Sequence, residues 1–519
     1  MIRRDLIAPL GALIRRQCDA RGEHLAFEDS GGDRASYRDL ERRTAALAVA
    51  LARGGCEPGD RAAVLLPNSV DWVVATLAIA RAAGVSVPVS HDSTESEIEY
   101  RLEDAACTVL IASARHAATI ARLRAKLPAL RTVIYRDAVE GDDGPRLGAL
   151  CAGEPGGAPR DPDDLHRLAF IVYTSGTTGR AKGVMLTEHG MLWVNAACYA
   201  PIASLGPDDT MLSPLPLFHS YALNLCVLSV VACGASAFVL ERFSTQEVLR
   251  QLATGRFTLM PGVPTMFHYL LDACTSAGTR TLAGLRRCIS AGAVLPATLN
   301  RGFEAQFGIP LLDGYGITET STMVTMNWPG DARVMGSCGL PVPGLSVRLV
   351  DANGDDVPAG AEGELIVRGP SVMLGYLNKP AETEAVLRNG WYRTGDLARA
   401  DENAFLTITG RVKELIIRGG QNIAPAEVEE AVLKHPAVLD CAVLGAPHSH
   451  LGEVPVVCVV VRPGMRVEAA ALREHCAGLL SAYKVPESVF EVESIPRTGS
   501  GKIVRYQLKA VVGGAAAGR

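Results

Sequence analysis

The chain has 519 residues, 48% hydrophobic and 21% charged, which predicts several structural units with large buried cores and excludes a disordered protein. A formal net charge of −5 gives no electrostatic reason to expect nucleic acid or an anionic membrane as the main partner. The 13 scattered cysteines include no CxxC pair and the N-terminus lacks a signal-peptide pattern, so we expect reduced core thiols in a cytoplasmic protein.

Helical and strand patterns alternate from the N-terminus. Ser36 and Asp39 have the spacing of a capping box, and the helix that they begin ends at Gly54-Gly55. Strand patterns follow at 62–66, 85–87, 108–111 and 132–135, with helical patterns at 72–83 and 98–106. This alternation predicts a doubly wound α/β subdomain.

A segment without charged residues lies between His219 and Glu241 and is long enough to suggest a membrane span. Gly234 interrupts it and a strand pattern resumes at 235–240, so we predict a buried helix followed by a core strand, and no membrane span. Helical patterns from 245 and at 266–273, with strand patterns at 258–260 and 288–290, continue the alternation. They predict a second doubly wound subdomain beside the first.

The pattern changes beyond Gly344. Short strands at 345–350 and 364–367 around an Asn353-Gly354 turn predict a small β-barrel-like subdomain. From about residue 414 the chain has the pattern of a separate α+β unit, with helices at 426–433 and 467–480 and strands at 439–444, 454–461 and 488–492. The tail 511–519, rich in Gly and Ala, is predicted to be disordered.

The densest group of hydrogen-bond donors follows the apolar strand 169–173, which comes after a Gly-, Pro- and Asp-rich loop at 151–164. Three glycines would let backbone amides converge on an oxyanion, with hydroxyls and a lysine around it. The segment comprises Thr174, Ser175, Gly176, Thr177, Thr178, Gly179, Lys182 and Gly183. A solvated linker is the alternative, but a linker would not follow an apolar strand without a polar break.

This loop differs from the common nucleotide P-loop. That loop has Gly before its Lys and Ser or Thr after it to hold magnesium, whereas Ala181 precedes Lys182 and Gly183 follows it here. A magnesium ligand must therefore come from elsewhere in the chain.

Seven stretches in order make the chain resemble the adenylate-forming superfamily, which includes acyl-CoA synthetases, nonribosomal peptide adenylation domains and beetle luciferases. They begin at Thr174, Pro216, Ser290, Asp313, Trp391, Gly410 and Pro496 and read TSGTTGRAK, PLFH, SAGA, DGYGITE, WYRTGD, GRVK and PRTGSGK. One such motif is weak evidence, whereas all of them in order over nearly the whole chain are specific. The resemblance implies an N-terminal AMP-binding domain at 1–410, a hinge at 411–413 that includes Lys413, and a small mobile C-terminal domain at 414–519.

The resemblance also implies the chemistry. A carboxylate attacks the α-phosphate of ATP to give an acyl-adenylate and pyrophosphate, and a thiol then displaces AMP. Because two anions must meet, the site needs fixed positive charge and donors. The implied catalytic residues are Lys502 between the carboxylate and the α-phosphate, Thr318 as a phosphate donor, Glu319 with Thr174 as Mg²⁺ ligands, and His219 as a gate or a packing residue.

The nucleotide site is implied in the same way. Tyr315 would stack on adenine, Asp396 would accept from the ribose hydroxyls, and Arg411 would reach ribose or phosphate. The remaining members of the slot are Ala291, Gly292, Ala293, Asp313, Gly314 and Gly316. Taken alone, these residues would be turn residues and Lys502 a surface lysine; the other motifs favour the functional interpretation.

The implied acyl pocket has no Asp that could hold an α-amino group and no Arg that could hold a second carboxylate. Its members are His219, Tyr221, Asn224, Val263, Gly292, Ile317 and Met323. Because an unpaired buried charge is costly, an uncharged fatty, cyclic or aryl acid fits better than an amino acid or a dicarboxylate. We therefore predict a carboxylate–CoA ligase that uses ATP, Mg²⁺ and coenzyme A. Transfer to the phosphopantetheine arm of a separate carrier protein, a luciferase-like oxygenase and a nucleotide-binding protein without catalysis stay open as alternatives.

Overall fold

The computed structural model of the protein describes residues 2–174, 181–330, 332–419, 421–448, 450–498 and 503–516. Its strands in the first two-thirds of the chain are β1 Leu25–Asp29, β2 Arg34–Ser36, β3 Arg61–Leu65, β4 Val85–Pro88, β5 Val109–Ala112, β6 Thr132–Tyr135, β7 Leu168–Thr174, β8 Lys182–Thr187, β9 Thr210–Ser213, β10 Ser236–Val239, β11 Leu259–Gly262, β12 Arg287–Ser290, β13 Leu311–Ile317, β14 Thr322–Met326 and β15 Leu340–Pro341. The later strands are β16 Ser346–Val350, β17 Gly363–Arg368, β18 Gly375–Tyr376, β19 Leu387–Arg388, β20 Trp391–Ala400, β21 Leu406–Arg411, β22 Ile416–Arg418, β23 Gln421–Ile423, β24 Val438–His448, β25 Gly452–Val461 and β26 Ser488–Glu491.

The α-helices alternate with these strands. They are α1 Leu10–Arg21, α2 Tyr37–Arg53, α3 Val70–Arg81, α4 Glu95–Asp104, α5 Ala117–Leu123, α6 Leu147–Ala152, α7 Glu188–Val194, α8 Ser220–Ala222, α9 Ser229–Cys233, α10 Thr245–Leu252, α11 Pro264–Ser276, α12 Ala297–Phe307, α13 Pro380–Val386, α14 Pro425–Leu433, α15 Ala469–Ala477 and α16 Arg505–Ala516. The segments Asn195–Tyr199 and Leu223–Leu228 are π-helical. None of the described helices is both long and apolar enough to cross a membrane.

The first sheet has the order β18-β8-β7-β4-β3-β5-β6. Its strands β3 to β7 run parallel, as the predicted alternation requires, and the helix between β2 and β3 begins at the predicted capping box of Ser36 and Asp39. Strand β8 returns antiparallel to β7, so the donor-rich loop joins the two strands of a hairpin.

The second sheet has the order β15-β14-β13-β12-β11-β9-β10-β1-β2. Strands β9 to β13 form the predicted second parallel series, and the uncharged segment is helical before it enters β10, as predicted. The strand β1 pairs in parallel with β10, where Phe27 lies opposite Ala237, so the N-terminal segment joins the second sheet. This crossing ties both subdomains into one core.

Two smaller sheets complete the fold. β16, β17, β20, β19 and β21 form an antiparallel layer, and β22 to β26 form the sheet of the C-terminal unit. The prediction of disorder from Val511 is wrong as far as Ala516, because helix α16 continues to that residue and buries Val512. Residues 517–519 lie outside the described residues.

A buried ion-pair cluster holds the loop that leads into β7. The side chain of Arg81 is 0% exposed and lies 2.6 Å from Glu41 on α2 and 2.8 Å from Asp161 in the loop. Arg15 on α1 also pairs with Asp161. The cluster therefore fixes the start of the strand that carries the donor-rich loop.

We expect Arg81→Met to lower the free energy of unfolding by about 3 kcal/mol or more, because it leaves two carboxylates largely buried without their main partner. Urea denaturation would measure the change. The matched control is Arg122→Met, whose ion pair with Glu95 is 59% and 42% exposed, and which should cost less than about 1 kcal/mol. Equal losses in the two variants would contradict a structural role for the buried cluster.

Candidate active site

The mouth of the donor-rich loop is fixed by the β7–β8 hairpin. Thr174 and Lys182 lie opposite each other at the last paired position of the hairpin, and both are partly buried. Gly183 faces the side chain of Ile171, where an added Cβ would lie 2.9 Å from Cγ2. The predicted phosphate-binding residues Ser175, Gly176, Thr177, Thr178 and Gly179 lie outside the described residues.

Lys182 contacts two residues that the sequence analysis did not identify. Its Nζ lies 2.5 Å from Oε2 of Glu382 on α13 and 4.7 Å from the ring centroid of Tyr376. The hydrogen bond from Lys182 lowers the pKa of Glu382, although burial acts against it. Phosphate binding by Lys182 stays a prediction.

Thr318 and Glu319 lie in the turn that follows β13. Thr318 Oγ1 is 3.0 Å from Oγ of Ser220, which begins helix α8. Oε1 of Glu319 accepts a hydrogen bond of 2.9 Å from the hydroxyl of Tyr376, and Oε2 accepts none from the described residues. The turn therefore joins the predicted phosphate donor Thr318 to helix α8 and leaves one carboxylate oxygen of Glu319 for another ligand.

The backbone around this turn is tight. Ser321 and Thr322 have φ values of 56° and 121°, which non-glycine residues rarely adopt. A Cβ at Gly316 would lie 1.8 Å from the carbonyl oxygen of Thr322. Gly316, the second glycine of the DGYGITE motif, is therefore required where the chain returns from β13 into β14.

Three predicted nucleotide-binding residues meet between the second sheet and the antiparallel layer. Asp396 on β20 pairs in register with Arg411 on β21, and its Oδ1 lies 2.8 Å from Nε of Arg411. Its Oδ2 accepts a hydrogen bond of 2.5 Å from the hydroxyl of Tyr315. Burial raises the pKa of Tyr315 well above its usual value and the carboxylate adds to the shift, so the phenol stays protonated and donates. We call this group, Tyr315, Asp396 and Arg411, the carboxylate corner.

The other predicted members of the adenine slot lie at the carboxyl edge of the second sheet. Asp313 on β13 pairs with Ser290, the last residue of β12, and Ala291, Gly292 and Ala293 follow directly. Asp313 is buried, and burial raises the pKa of its carboxyl group. Gly314 leaves room for Met323, because an added Cβ would lie 3.1 Å from its Sδ.

The predicted acyl-pocket residues gather beside this edge. Tyr221 on α8 donates to the carbonyl of Ile289 at 3.2 Å, and Asn224 donates from Nδ2 to the carbonyls of Ser321 at 2.8 Å and Met191 at 3.1 Å. The remaining members lie at element ends: His219 directly before α8, Val263 directly after β11, Ile317 at the end of β13 and Met323 in β14. His219 packs on the ring of Phe218, with 4.3 Å between ring centroids.

The predicted hinge and the mobile lysine belong to the C-terminal part of the chain. Lys413 lies in the 3₁₀ turn Val412–Glu414 between β21 and β22. Lys502 lies outside the described residues. Nη2 of Arg497, before it, lies 2.7 Å and 3.0 Å from the two carboxylate oxygens of Asp440 on β24, and Arg497 forms an antiparallel bridge with Ile503 after it.

Sequence analysis missed the residues that support these groups: Tyr376, Ser220 and Glu382. Tyr376 is separated by 57 positions from Glu319, and Ser220 by 98 positions from Thr318. No local sequence pattern predicts such contacts, because the side chains meet only after the sheets have packed.

Comparison with known proteins identifies the class of enzyme to which this fold belongs. The profile of the AMP-binding enzyme family matches residues 14–377, and that of the AMP-binding enzyme C-terminal domain matches residues 427–502. Feruloyl-CoA synthase from an Amycolatopsis species is 35% identical over 493 residues, which are 94% of this chain and 96% of that protein.

Solved structures agree over nearly the whole chain. ATP-bound MatB from Rhodopseudomonas palustris is 32% identical, has a TM-score of 0.87 and covers 96% of this chain and 98% of its own. The anthranilate CoA ligase AuaEII in complex with anthranoyl-AMP is 26% identical, has a TM-score of 0.92 and covers 99% of this chain and 98% of its own. The chain therefore belongs to the AMP-binding enzyme family, and within it to the acyl-CoA synthetases of the adenylate-forming superfamily, which are AMP-forming acid–thiol ligases. The resemblance and the fold class predicted from the sequence are confirmed.

Proposed function

We propose that this enzyme uses ATP and Mg²⁺ to convert an uncharged fatty, cyclic or aryl acid into its acyl-adenylate, and then transfers the acyl group to the thiol of coenzyme A. The observation that carries the proposal is the position of residues 315–319. Tyr315 contacts Asp396 in the carboxylate corner. Thr318 contacts Ser220 at the start of α8, which carries the predicted pocket residue Tyr221, and Glu319 contacts Tyr376 beside the β7–β8 hairpin. One short stretch therefore adjoins the three places where nucleotide, acid and phosphates would lie.

The oxygen ligands suit Mg²⁺ bound together with phosphate. The described residues contain no cluster of three side chains that could hold a metal ion alone. Glu319, through its remaining carboxylate oxygen, and the hydroxyl of Thr174 would hold the ion beside phosphate oxygens and water, which is the hard-oxygen set that Mg²⁺ prefers. When bound, the ion supplies charge neutralisation on the phosphates.

The protein groups divide the remaining work. Thr318, oriented by Ser220, would donate to the α-phosphate, and Lys182 and Lys502 would supply positive charge where the carboxylate approaches. The carboxylate corner would hold the ribose, with both oxygens of Asp396 already oriented by their donors. We propose the domain division 1–410, 411–413 and 414–519, with rotation about Lys413 bringing Lys502 in for the first half-reaction and removing it for the second.

The acid is proposed to be uncharged beyond its reacting carboxylate. The predicted pocket members include no Asp to pair with an ammonium group and no Arg to pair with a second carboxylate, and burying such a charge alone is costly. These members are His219, Tyr221, Asn224, Val263, Gly292, Ile317 and Met323. Feruloyl-CoA synthase and the anthranilate CoA ligase are named for aryl acids, which makes aryl acids the first class to test.

We expect pyrophosphate release with at least one uncharged acid from a panel of fatty, cyclic and aryl acids, and a further increase when coenzyme A is added, because the thiol removes the adenylate and frees the site. Amino acids and dicarboxylates of matched size are the controls, and should be slower by about 10-fold or more because of the buried charge. The measurement is run with coenzyme A, with a phosphopantetheinylated carrier protein and with neither. An increase with the carrier protein alone would contradict coenzyme A as acceptor, and no release with any acid would contradict the proposed reaction.

A further inference from the structure

Tyr376 lies where the β7–β8 hairpin meets the turn that carries Glu319. It forms the short strand β18 with Gly375 and pairs with Val184 on β8. The same segment is bonded on both sides: Leu377 N donates to the carbonyl of Gly183 at 2.8 Å, and Met373 N donates to the carbonyl of Glu319 at 2.8 Å. The backbone at Tyr376 is therefore held simultaneously by the hairpin and by the turn.

The hydroxyl of Tyr376 is the middle member of a short hydrogen-bond chain between Glu319 and Tyr392. It donates to Oε1 of Glu319 at 2.9 Å and lies 3.3 Å from the hydroxyl of Tyr392. Because an ionised carboxylate only accepts hydrogen bonds, the proton of Tyr376 points to Glu319 and its oxygen can accept from Tyr392.

The ring of Tyr376 has a second contact. Nζ of Lys182 lies 4.7 Å from the ring centroid, within the range of a cation–π interaction. The tyrosine is only 6% exposed, so neither contact is made through bulk water. One side chain therefore touches both a proposed magnesium ligand and the lysine at the end of the phosphate loop.

We propose that Tyr376 is a positioning residue for adenylate formation: its hydroxyl fixes Oε1 of Glu319 so that Oε2 is presented to Mg²⁺, and its ring holds Lys182 at the mouth of the phosphate loop. This inference rests on the proposed function, since it acts through Glu319 and Lys182 and requires no contact between Tyr376 and substrate. Hydrogen-bond partners of metal ligands typically change metal affinity or activity by about 10- to 100-fold when removed.

The test separates the hydroxyl from the ring. Tyr376→Phe keeps the ring over Lys182 and removes the hydrogen bond to Glu319, so we expect the Mg²⁺ concentration for half-maximal pyrophosphate release to rise about 10-fold or more. Binding of Mn²⁺ in the presence of a non-hydrolysable ATP analogue, followed by electron paramagnetic resonance, should weaken by a similar factor. Tyr376→Leu removes both contacts and should also raise the KM for ATP, because Lys182 loses its cation–π contact and keeps only its ion pair with Glu382.

Two further variants set the scale. Tyr392→Phe removes the more distant link and should weaken Mn²⁺ binding by less than about 3-fold. Tyr269→Phe, at a side chain 42% exposed on α11, should leave every readout unchanged. If Tyr376→Phe binds Mn²⁺ as the wild-type enzyme does, while the wild type shows Mg²⁺-dependent pyrophosphate release, the inference is wrong and the proposed function stands. If the wild type neither binds Mn²⁺ with nucleotide nor releases pyrophosphate, the proposed function is wrong and the inference falls with it.

Discussion

Lys502→Ala is expected to slow adenylate formation by about 100-fold or more, and to leave thioester formation from a supplied acyl-adenylate within a few-fold of the wild-type rate. The carboxylate and the α-phosphate repel each other as they meet, and removing one fixed group that stabilises such charge typically costs about 3 kcal/mol. Once the adenylate exists, this repulsion has been overcome. The second half-reaction should therefore not need the lysine.

The attachment of the segment that carries Lys502 supports a role for this lysine in the first half-reaction only. Arg497 is held by Asp440 on β24 and bridges Ile503, so both ends of the loop that carries Lys502 are attached to the C-terminal sheet. A rotation of that sheet about the proposed hinge would move the lysine with it. The contribution of Lys502 would then depend on which domain orientation the enzyme adopts.

The two half-reactions can be measured separately. Adenylate formation is followed by pyrophosphate release, and thioester formation starts from a synthetic acyl-adenylate with coenzyme A. Lys509→Ala, at an exposed lysine on α16, is the matched control and should affect neither. An equal loss in both half-reactions for Lys502→Ala would show that the lysine supports the fold or the domain interface, and would contradict the assigned step.

The order of helices and strands could be predicted because it depends on local periodicity. The capping box at Ser36 set the start of α2 correctly. The helix predicted at 98–106 begins instead at Glu95, because Thr94 and Glu97 form a second capping box. The Thr94–Glu97 spacing is visible in the sequence, so the start of this helix could have been predicted from local pattern alone.

Other features could not be read from local pattern. The pairing of β1 with β10 joins Phe27 to Ala237, and its stability comes from burial in a core that exists only after both subdomains have formed. The tail beyond Val511 has a composition typical of disorder, yet the helix continues because Leu508 and Val512 pack against the C-terminal sheet. Tertiary packing therefore overrode the local preference in both places.

The predicted site shows the same division. Residues with motif chemistry, such as Tyr315, Asp396 and Arg411, could be named from sequence because the resemblance supplies them, and the structure brings all three together. The partners that orient motif residues, such as Tyr376 for Glu319, lie outside the seven motifs, and no pattern in the neighbouring sequence marks them. Their roles follow from distances between elements, which a single sequence does not contain.

Asp396→Asn is expected to raise the KM for ATP by about 10- to 100-fold, since hydrogen bonds to a charged group are each worth about 1.5–3 kcal/mol. The structure gives the reason for choosing this variant. Both carboxylate oxygens face donors, Nε of Arg411 on one side and the hydroxyl of Tyr315 on the other. An amide has only one acceptor oxygen, so its NH₂ group must face one of these donors and the carboxylate corner loses a contact as well as its charge.

The split between kinetic constants distinguishes a role in nucleotide binding from a role in stability alone. If Asp396 only held the sheet together, Asp396→Asn would lower kcat in proportion to the folded fraction and leave the KM for ATP unchanged. Asp401→Asn is the matched control: Asp401 lies in the exposed turn between β20 and β21, and among the described residues its carboxylate accepts hydrogen bonds only from the backbone amides of Asn403 and Phe405. The KM of this variant for ATP should stay within about 2-fold of wild type, because the two hydrogen bonds are exposed and involve no predicted nucleotide-binding residue. A raised KM for ATP in Asp396→Asn with an unchanged thermal unfolding midpoint would show that Asp396 binds the nucleotide. Equal KM values for ATP in Asp396→Asn and Asp401→Asn would contradict a role of Asp396 in nucleotide binding.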